Sequence, residues 1–305
     1  MATTAQRKAK QNRRWLVSIQ ILIVILWGYA IFLCWFYFCQ FGLFVVPNEP
    51  TTDSPKPANE LSALRPPTRD YTLLPPDHST TNSSLHCRII PAQLKEGEER
   101  KGVVAYLHGN RGNLYECRFQ TDIFLNSGYD VAMFDYRGFG ESEGPVTEQL
   151  LLDDALLWYS DLKNKGYDEK EIIVWGRSFG TGMAAYIASK NSPKTLVLET
   201  PYYSFVEAIR HSSNFDWLIP DAFIRFRFPT YSFEPNIATS VHLIHGDLDE
   251  KIPFESSKRL KQLWEKSDSA VNLWRIPNDN HNLRESSEET KPEFIEALNQ
   301  ILGNR

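Results

Sequence analysis

The residues of this sequence that could do chemistry centre on Ser178, in the pentapeptide Gly-Arg-Ser-Phe-Gly at positions 176–180. A short β-branched run, Glu171–Trp175, precedes the pentapeptide, and residues typical of a helix follow it at 183–190. A strand, a tight turn and a helix are the context in which Gly-x-Ser-x-Gly presents a nucleophilic serine at a strand end. The two glycines leave room for such a turn beside the serine. The motif alone also fits a glycine-rich loop with an exposed serine, so the rest of the chain must distinguish the two.

A serine hydroxyl is a poor nucleophile near neutral pH and needs an adjacent base. Where such a motif is catalytic, the chain order is serine, acid, histidine. Four histidines follow Ser178, and His211 falls in an aromatic segment while His242 lies inside a predicted strand. His245 precedes a glycine at a strand end and is predicted to be a turn residue. His281 lies in a polar loop directly after the last predicted strand, and it is the predicted base.

The base in turn needs a carboxylate that orients it. The loop after the preceding strand offers Asp247, Asp249 and Glu250. Asp249 is the predicted acid, because an Asp in the position of Asp247 more readily bonds nearby backbone and folds the turn. The sequence therefore predicts a catalytic set of Ser178, Asp249 and His281.

The reaction also needs hydrogen-bond donors for the negative charge that develops on the carbonyl oxygen. One donor is predicted to be the backbone N–H of Phe179, directly after the serine. The other is predicted to be the backbone N–H of Asn110, in the His-Gly-Asn turn that follows the apolar run Gly102–Leu107. A plain tight turn would explain Gly109 equally well.

The elements that must position these residues alternate between apolar strands and helical patterns from residue 70 onward. The predicted strands are Tyr71–Leu74 and Leu85–Ile90, which form an antiparallel hairpin, then Gly102–Leu107, Tyr129–Phe134, Glu171–Trp175, Lys194–Leu198, Val241–Ile244 and Val271–Ile276. The predicted helices lie near Leu114–Asn126, from a Thr147 cap to about Lys165, after Ser178, near Phe254–Glu265 and over Pro292–Leu302. This alternation predicts an α/β fold with a mostly parallel, doubly wound sheet.

The alternation breaks at about 201–236, where aromatic residues gather. They are Tyr202, Tyr203, Phe205, Phe215, Trp217, Phe223, Phe226, Phe228 and Tyr231. The segment fits either an ordinary helical excursion or a small helical lid whose aromatic residues line an apolar pocket. In the second interpretation, Tyr202, Tyr203 and Phe205 are the candidate substrate contacts.

The N-terminal part predicts a membrane anchor. Residues 15–46 carry no charge, and Ile21–Cys39 is apolar or aromatic throughout apart from Gly28, which is long enough to cross a membrane. Residues 1–14 carry five basic side chains, whereas the 20 residues after the anchor carry two, so the tail is predicted to be cytoplasmic and the body extracytoplasmic. Residues 47–69 contain six prolines and form a linker, and 70–305 form the folded domain. A cleaved signal peptide, giving a secreted protein, is the alternative.

Composition excludes several other classes. The formal net charge is −5 although the tail is basic, so the body is more acidic still, which argues against a nucleic-acid partner. The four cysteines show no zinc-ligand spacing, and no metal or organic cofactor is predicted. A Cys87–Cys117 disulfide stays possible if the body is extracytoplasmic.

Five motifs in order resemble the α/β-hydrolase superfamily over about residues 70–305. They are His-Gly-Asn at 108–110, Asp-Tyr-Arg-Gly at 135–138, Gly-Arg-Ser-Phe-Gly at 176–180, the Asp249 loop and His-Asn at 281–282. More narrowly, the chain resembles the serine hydrolases of that superfamily that have one N-terminal anchor. The resemblance implies the α/β-hydrolase fold with a small lid, the catalytic set above, and Asn110 and Phe179 as the oxyanion hole.

The function expected from these residues is cleavage of a carboxylic ester, or of a thioester or amide, through an acyl-enzyme. A small-molecule or lipid-like ester is the expected substrate, and the bilayer is the expected partner of the anchor. The alternatives are a serine peptidase of the same fold and a non-catalytic binding or scaffold protein. The resemblance does not extend to the details of 201–236 and so does not identify the substrate.

Overall fold

One eight-stranded sheet organises the chain from Arg69 onward in the computed structural model, which describes residues 4–44, 68–110, 113–115, 117–212, 218–236, 238–283 and 291–303. The strands are β1 Arg69–Leu73, β2 Leu85–Ile90, β3 Gly102–Leu107, β4 Tyr129–Phe134, β5 Ile172–Arg177, β6 Thr195–Glu199, β7 Ser240–Gly246 and β8 Val271–Ile276. Their order in the sheet is β1-β2-β4-β3-β5-β6-β7-β8. The first two pairings, β1 with β2 and β2 with β4, are antiparallel, and the others are parallel. The predicted mostly parallel α/β sheet is confirmed.

Eight helices accompany the sheet in the described parts of the chain. They are α1 Thr4–Phe44, α2 His78–Thr81, α3 Arg118–Asn126, α4 Glu148–Asn164, α5 Gly180–Lys190, α6 Phe205–Ser212, α7 Glu255–Trp264 and α8 Pro292–Leu302. Thr147 caps α4 as predicted, its hydroxyl oxygen accepting a hydrogen bond from the Leu150 N–H at 3.2 Å. Helix α2 lies in the polar segment between β1 and β2 and was not predicted.

The central strands are apolar throughout because both faces of the sheet are covered. Successive residues of β3 alternate between the two faces, with Val103 and Ala105 in one apolar cluster and Val104 and Tyr106 in the other. Helices α3 and α8 pack in the second cluster, whereas α4, α5, α6 and α7 pack in the first. The carboxyl ends of the parallel strands therefore meet at one edge between two helical layers, where the candidate site lies.

The predicted lid region, residues 201–236, is named the cap segment here. Its described residues form α6 and two short 3₁₀ turns, Asp221–Phe223 and Thr230–Ser232, and are otherwise irregular. Phe215 and Trp217 of the predicted aromatic group lie outside the described residues. The segment joins β6 to β7, which is where the strand–helix alternation of the sequence breaks.

The N-terminal helix α1 contains one stretch, Trp15–Cys39, that is long and apolar enough to cross a membrane. Of the residues in this stretch, only Leu33 and Phe36 are buried against the rest of the protein. The end of the predicted anchor, 45–46, and most of the predicted linker, 47–67, lie outside the described residues. Cys87 and Cys117 are both buried and are not joined by a disulfide bond.

Candidate active site

Ser178 lies on a sharp turn between β5 and α5. Its φ of 49° is in the left-handed region that non-glycine residues rarely occupy. The backbone holds it there, because the Ser178 N–H donates to the Glu199 carbonyl at 2.9 Å. The Thr181 N–H and hydroxyl donate to the Ser178 carbonyl at 3.0 and 2.6 Å. The strained residue is thus fixed by its neighbours, as is common at functional sites.

The two glycines of the motif are required by close packing. A Cβ on Gly176 would lie 2.6 Å from the Cβ of Ala184, and one on Gly180 would lie 2.3 Å from the Leu107 carbonyl oxygen. These distances are shorter than any normal contact. Glycine is therefore needed at both positions, because α5 and the end of β3 pack directly against the turn.

The structure brings the three residues predicted as the catalytic set together. His281 Nε2 lies 3.0 Å from the Ser178 hydroxyl, and His281 Nδ1 lies 2.8 Å from Asp249 Oδ2. The network assigns a proton to Nδ1, which donates to the carboxylate, so that Nε2 accepts from the serine. His281 and Asp249 are buried. This arrangement can deprotonate the serine as it attacks and stabilise the imidazolium that forms.

Asp249 accepts hydrogen bonds on both carboxylate oxygens. The N–H groups of Lys251 and Ile252 donate to Oδ1 at 2.9 and 2.8 Å. Burial raises the pKa of Asp249, but the hydrogen bonds from His245 and His281 outweigh burial and hold this pKa well below its ordinary value. The carboxylate is therefore ionised throughout the neutral range.

The second histidine on Asp249 was missed by the sequence prediction. His245 is not a turn residue: it lies in β7, fully buried. Its Nε2 lies 3.1 Å from Asp249 Oδ2 and 3.0 Å from the Ile252 carbonyl, and its Nδ1 lies 2.7 Å from the Ser257 hydroxyl. Since both neighbours of Nε2 are acceptors, Nε2 carries a proton. Among the described residues, no group of three or more His, Cys, Asp or Glu side chains is arranged to hold a metal ion.

Asp247 fastens the loop that carries Asp249 to the loop that carries His281. Its Oδ2 accepts from Arg275 Nη2 at 2.6 Å, and its Oδ1 accepts from the Asn278 N–H at 2.7 Å. The sequence predicts that Asp247 folds its own turn, whereas these bonds join two loops. Asp249, rather than Asp247, is the carboxylate that reaches the histidine.

Arg177, next to the serine, also connects the turn to the histidine loop. Its Nη2 donates to the side-chain oxygen of Asn282 at 3.3 Å, and its Nε lies 3.4 Å from a carboxylate oxygen of Glu199. Glu199 is fully buried and accepts from Trp175 Nε1 at 2.8 Å. Arg177 and Glu199 are charged residues at the ends of β5 and β6, which is a signal that the sequence contains. Their partners cannot be identified without the fold.

The predicted oxyanion-hole residues lie on the two loops that flank Ser178. An ideal Cβ on Gly109 would lie 3.8 Å from the Ser178 Cβ, so the turn that carries Asn110 is in van der Waals contact with the serine. Phe179 is the residue just before α5. The first N–H groups of a helix have no partner within the helix and favour negative charge. Both loops thus border the position where a carbonyl oxygen would lie.

Two of the three predicted substrate contacts, Tyr202 and Phe205, contact Phe179 of the turn, whereas Tyr203 packs against Arg259 and Tyr231. Tyr202 is buried, and its hydroxyl donates to the Phe179 carbonyl at 3.0 Å, which places Tyr202 in the core beneath the turn rather than on an open wall. The Arg259 guanidinium lies over the Tyr203 ring, with its central carbon 3.6 Å from the ring centroid. Phe205 meets Phe179 edge to face, with ring centroids 5.3 Å apart. Phe205 is thus the one of the three whose ring borders the residue after Ser178.

Comparison with known proteins agrees with this architecture. A family model described as alpha/beta hydrolase fold matches residues 102–232. The chain is 34% identical over 185 residues to a lysophosphatidylserine lipase, ABHD12, of Danio rerio, covering 55% of this chain and 48% of the relative. It is 32% identical over 178 residues to the uncharacterized protein R595 of Acanthamoeba polyphaga mimivirus, covering 52% and 60% respectively. The chain therefore matches about half the length of these relatives.

Solved structures resemble the fold at low sequence identity. The esterase Pf2001 of Pyrococcus furiosus matches with a TM-score of 0.62 and 17% identity, over 86% of this chain and 97% of the esterase. Est1E of Butyrivibrio proteoclasticus matches with a TM-score of 0.58 and 16% identity, over 76% and 97%. The parallel sheet, the serine turn between β5 and α5, the family model over residues 102–232 and these likenesses show that the chain has the α/β-hydrolase fold.

Proposed function

We propose that this protein is a membrane-anchored serine hydrolase that cleaves the carboxylic ester of an acyl lipid through an acyl-enzyme. The observation that carries the proposal is the hydrogen-bonded row of Ser178, His281 and Asp249, with distances of 3.0 and 2.8 Å. Three residues far apart in sequence meet there in the order of nucleophile, base and orienting acid.

In the proposed reaction, Ser178 Oγ forms a bond to the ester carbonyl carbon while its proton passes to His281 Nε2. Asp249 stabilises the imidazolium through Nδ1, and the backbone N–H groups of Asn110 and Phe179 donate to the oxyanion. The C–O bond to the alcohol then breaks, and the alcohol oxygen takes the proton from His281. In the second half of the reaction, a water oxygen attacks the acyl carbon while its proton passes to His281. The bond to Ser178 Oγ then breaks, and His281 returns the proton to the serine.

Three observations favour a lipid substrate over a water-soluble ester. Relatives of Danio rerio and Gallus gallus, at 34% and 31% identity, are named lysophosphatidylserine lipases, although the chain matches about half their length. The chain carries a helix that can cross a membrane. The cap segment contributes buried aromatic side chains, Phe205 and Phe228, to the surroundings of Phe179. The substrate class proposed is therefore an ester with one long acyl chain, a lysophospholipid or a monoacylglycerol.

The proposed arrangement in the membrane follows the charges of the sequence. Residues 15–46 span the bilayer, residues 1–14 lie in the cytoplasm, and the domain of residues 70–305 lies on the other side. The linker of residues 47–69 keeps the domain at the membrane surface. Both the anchor and the substrate class place the reaction beside the bilayer.

The test is labelling of the detergent-solubilised full chain with a fluorophosphonate probe, followed by assay on lysophosphatidylserine, monoacylglycerols and acetyl esters. The wild type should be labelled, and long-chain esters should be cleaved faster than acetyl esters. Ser178→Ala should abolish labelling and lower kcat at least about 10⁴-fold. Ser160→Ala, on the exposed side of α4, is the matched control and should leave both unchanged.

Two results would contradict the proposal in different ways. A folded wild type that takes no label and cleaves no ester would be a binding or scaffold protein. A labelled enzyme that cleaves acylated peptides but no lipid ester would be a peptidase, and the substrate class would be wrong.

A further inference from the structure

Helix α1 rests on the cap segment over the half of its apolar stretch that is nearer to the folded domain. Leu33 and Phe36 are 7% and 3% exposed, whereas Trp35 between them is 49% exposed. The Tyr29 hydroxyl donates to the Leu218 carbonyl at 2.8 Å. Tyr29, Leu33 and Phe36 recur at helical spacing, so they form one face of α1 that contacts protein.

The contact continues towards the end of the apolar stretch. The Tyr37 ring meets Phe223 edge to face at a centroid distance of 6.5 Å, and the Arg225 guanidinium lies 5.2 Å from the Tyr37 ring centroid. Leu218 thus pairs with Tyr29, and Phe223 and Arg225 pair with Tyr37, eight residues further along α1. This edge of the cap segment, Leu218–Arg227, is named the cap edge.

Helix length indicates how deep this contact lies. The apolar stretch has 25 residues and is about 37 Å long, whereas a hydrocarbon core is about 30 Å thick and needs about 20 residues. With the basic tail holding Trp15 at the cytoplasmic boundary, the hydrocarbon ends near residue 34. Tyr29 then lies about 7 Å inside that boundary, and Tyr37 lies among the headgroups.

The chemistry of the contact fits this depth. A backbone carbonyl at the edge of the hydrocarbon has little water to bond, and Tyr29 supplies the donor for Leu218. Arg210 pairs with Asp221 and donates to the Ile219 carbonyl at 3.0 Å, so that the acidic side chain of the cap edge is neutralised. Arg225 beside Tyr37, near the end of the apolar stretch, is typical of a headgroup layer.

An apolar path joins this contact to the site. Phe36 of α1 belongs to the same cluster of buried side chains as Phe226, Phe228 and Phe179. Phe228 and Phe179 meet edge to face at 5.3 Å, and Phe179 directly follows Ser178. The wall that α1 supports is therefore continuous with the surroundings of the serine.

We propose that the cap edge Leu218–Arg227 is a second membrane-contacting element, which is docked on α1 and held at the boundary between hydrocarbon and headgroups in the extracytoplasmic leaflet. The bilayer is the partner of this surface, and an acyl chain reaches Ser178 from the lipid side of the cap segment. The inference rests on the proposed anchor and extends it from a tether to a part of the substrate entrance.

The test is the membrane depth of single nitroxide labels in the full chain, with the four native cysteines replaced, in phosphatidylcholine–phosphatidylserine vesicles. The labelled positions are Ala222 in the cap edge, Ile25 in the middle of α1 and Glu296 on α8, all exposed to the surroundings of the protein. Collision rates with oxygen report lipid, and collision rates with a water-soluble nickel chelate report water. The collision rate with the chelate at position 222 should be at least about fivefold lower than at position 296, and the rate at position 25 should be the lowest of the three.

The outcomes separate this inference from the proposed anchor. If position 25 is protected but position 222 is as accessible to the chelate as position 296, the anchor stands and the docked cap edge is wrong. If position 25 is itself accessible to the chelate, the anchor proposal is wrong.

Matched variants test whether α1 holds the cap edge. Phe36→Ala removes a buried ring and should raise chelate access at position 222 towards that at 296, whereas Trp35→Ala, on the exposed face, should not. Tyr29→Phe keeps the ring and removes only the hydroxyl that donates to Leu218, and it should also raise chelate access at position 222. It serves as the test if Phe36→Ala does not fold. Equal effects of the buried-face and exposed-face variants would overturn docking.

Discussion

At the scale of single residues, the least expected feature is that Asp249 is shared between two histidines. His281 faces Ser178, whereas His245 is enclosed in β7 and has no contact with the serine in the hydrogen bonds described. His245 Nε2 points between the Asp249 carboxylate and the Ile252 carbonyl, and Ser257 fixes the other ring nitrogen. A buried carboxylate keeps one orientation only if each oxygen has fixed donors. We therefore infer that His245 positions Asp249 and does not itself react.

Replacing His245 should slow the chemical step more than it weakens substrate binding. His245→Ala removes a hydrogen bond to an ionised group, a type that contributes about 1.5–3 kcal/mol, so kcat should fall roughly 10- to 100-fold with KM little changed. His245→Gln places an amide N–H near the position of Nε2 and should recover part of kcat. Steady-state kinetics on one long-chain ester measures the split between kcat and KM.

His242→Ala is the control for His245, because His242 is also buried on β7 but bonds Trp274 and lies outside the site. It should lower stability without lowering kcat in the folded fraction. If His242→Ala lowers kcat as much as His245→Ala, or if His245→Gln recovers no kcat, the effect of His245 is a general loss of strand packing and not the positioning of Asp249.

The meeting of Ser178, Asp249 and His281 could be predicted from the sequence, but the second histidine could not. Chain order and loop position are sequence properties, so Ser178, Asp249 and His281 follow from them. The role of His245 depends on Asp249 turning back towards β7, which puts its carboxylate 3.1 Å from a strand residue four positions earlier. That reversal is a property of the folded loop, and a histidine before a glycine fits a turn equally well.

At the scale of elements, the loop after β3 and the turn after β5 form one packed unit. The Tyr136 hydroxyl donates to the His108 carbonyl at 2.7 Å, and the His108 ring stacks on Tyr136 with centroids 4.1 Å apart. The carbonyl oxygens of Leu107 and His108 occupy the space where a Cβ on Gly180 would lie, at 2.3 and 2.7 Å. The spacing of the proposed oxyanion donors therefore depends on backbone packing, which glycine permits.

Two glycine substitutions on the facing loops should differ in outcome, one destabilising and one nearly neutral. In Gly180→Ala the new methyl meets backbone oxygen that cannot move freely, so unfolding free energy should fall by about 1–3 kcal/mol or more. Helix propensity alone favours alanine by about 1 kcal/mol and predicts the reverse sign. Gly109→Ala has its nearest neighbour at 3.8 Å and should change stability by less than about 0.5 kcal/mol. Urea unfolding followed by circular dichroism measures both, and similar values would contradict the packing argument.

The strands could be predicted closely from the sequence, whereas their order and the cap segment could not. The apolar run Gly102–Leu107 has the same bounds in the structure, because buried parallel strands are apolar throughout. Val271–Ile276 also has the predicted bounds, although it is the edge strand β8 and is partly exposed. The position of β4 between β2 and β3 depends on long-range pairing. Within residues 201–236, α6 has a helical period, with Phe205, Ala208 and Ile209 buried on one face, but the helix is short and was not predicted. Most of the other described residues of the cap segment are irregular and are ordered by tertiary contacts.

At the scale of the whole molecule, the serine, the cap segment and α1 lie along one side of the sheet. The apolar cluster that contains Phe36 also contains Phe179, whereas α3 and α8 pack in the cluster on the opposite side. A hydrolase so arranged would present one side to the lipid and the other to water. Its function then depends on which side of the membrane the sheet occupies, a property that the folded domain does not determine and that charge asymmetry predicts.

The predicted sidedness can be tested at Asn82, which begins the single Asn-x-Ser/Thr triplet of the sequence. Asn82 is exposed and follows α2 with a left-handed φ of 54°, so a glycan attached there would point away from the core. In a eukaryotic cell, an extracytoplasmic domain should therefore acquire one N-glycan, seen as a mobility shift that endoglycosidase removes. Asn82→Gln and Ser84→Ala should both abolish the shift, whereas Ser84→Thr should keep it.

If the wild type shows no shift and protease added to the cytoplasmic face of sealed microsomes digests the domain, the orientation is the reverse of the one proposed. In that case Ser178 would face the cytoplasmic leaflet.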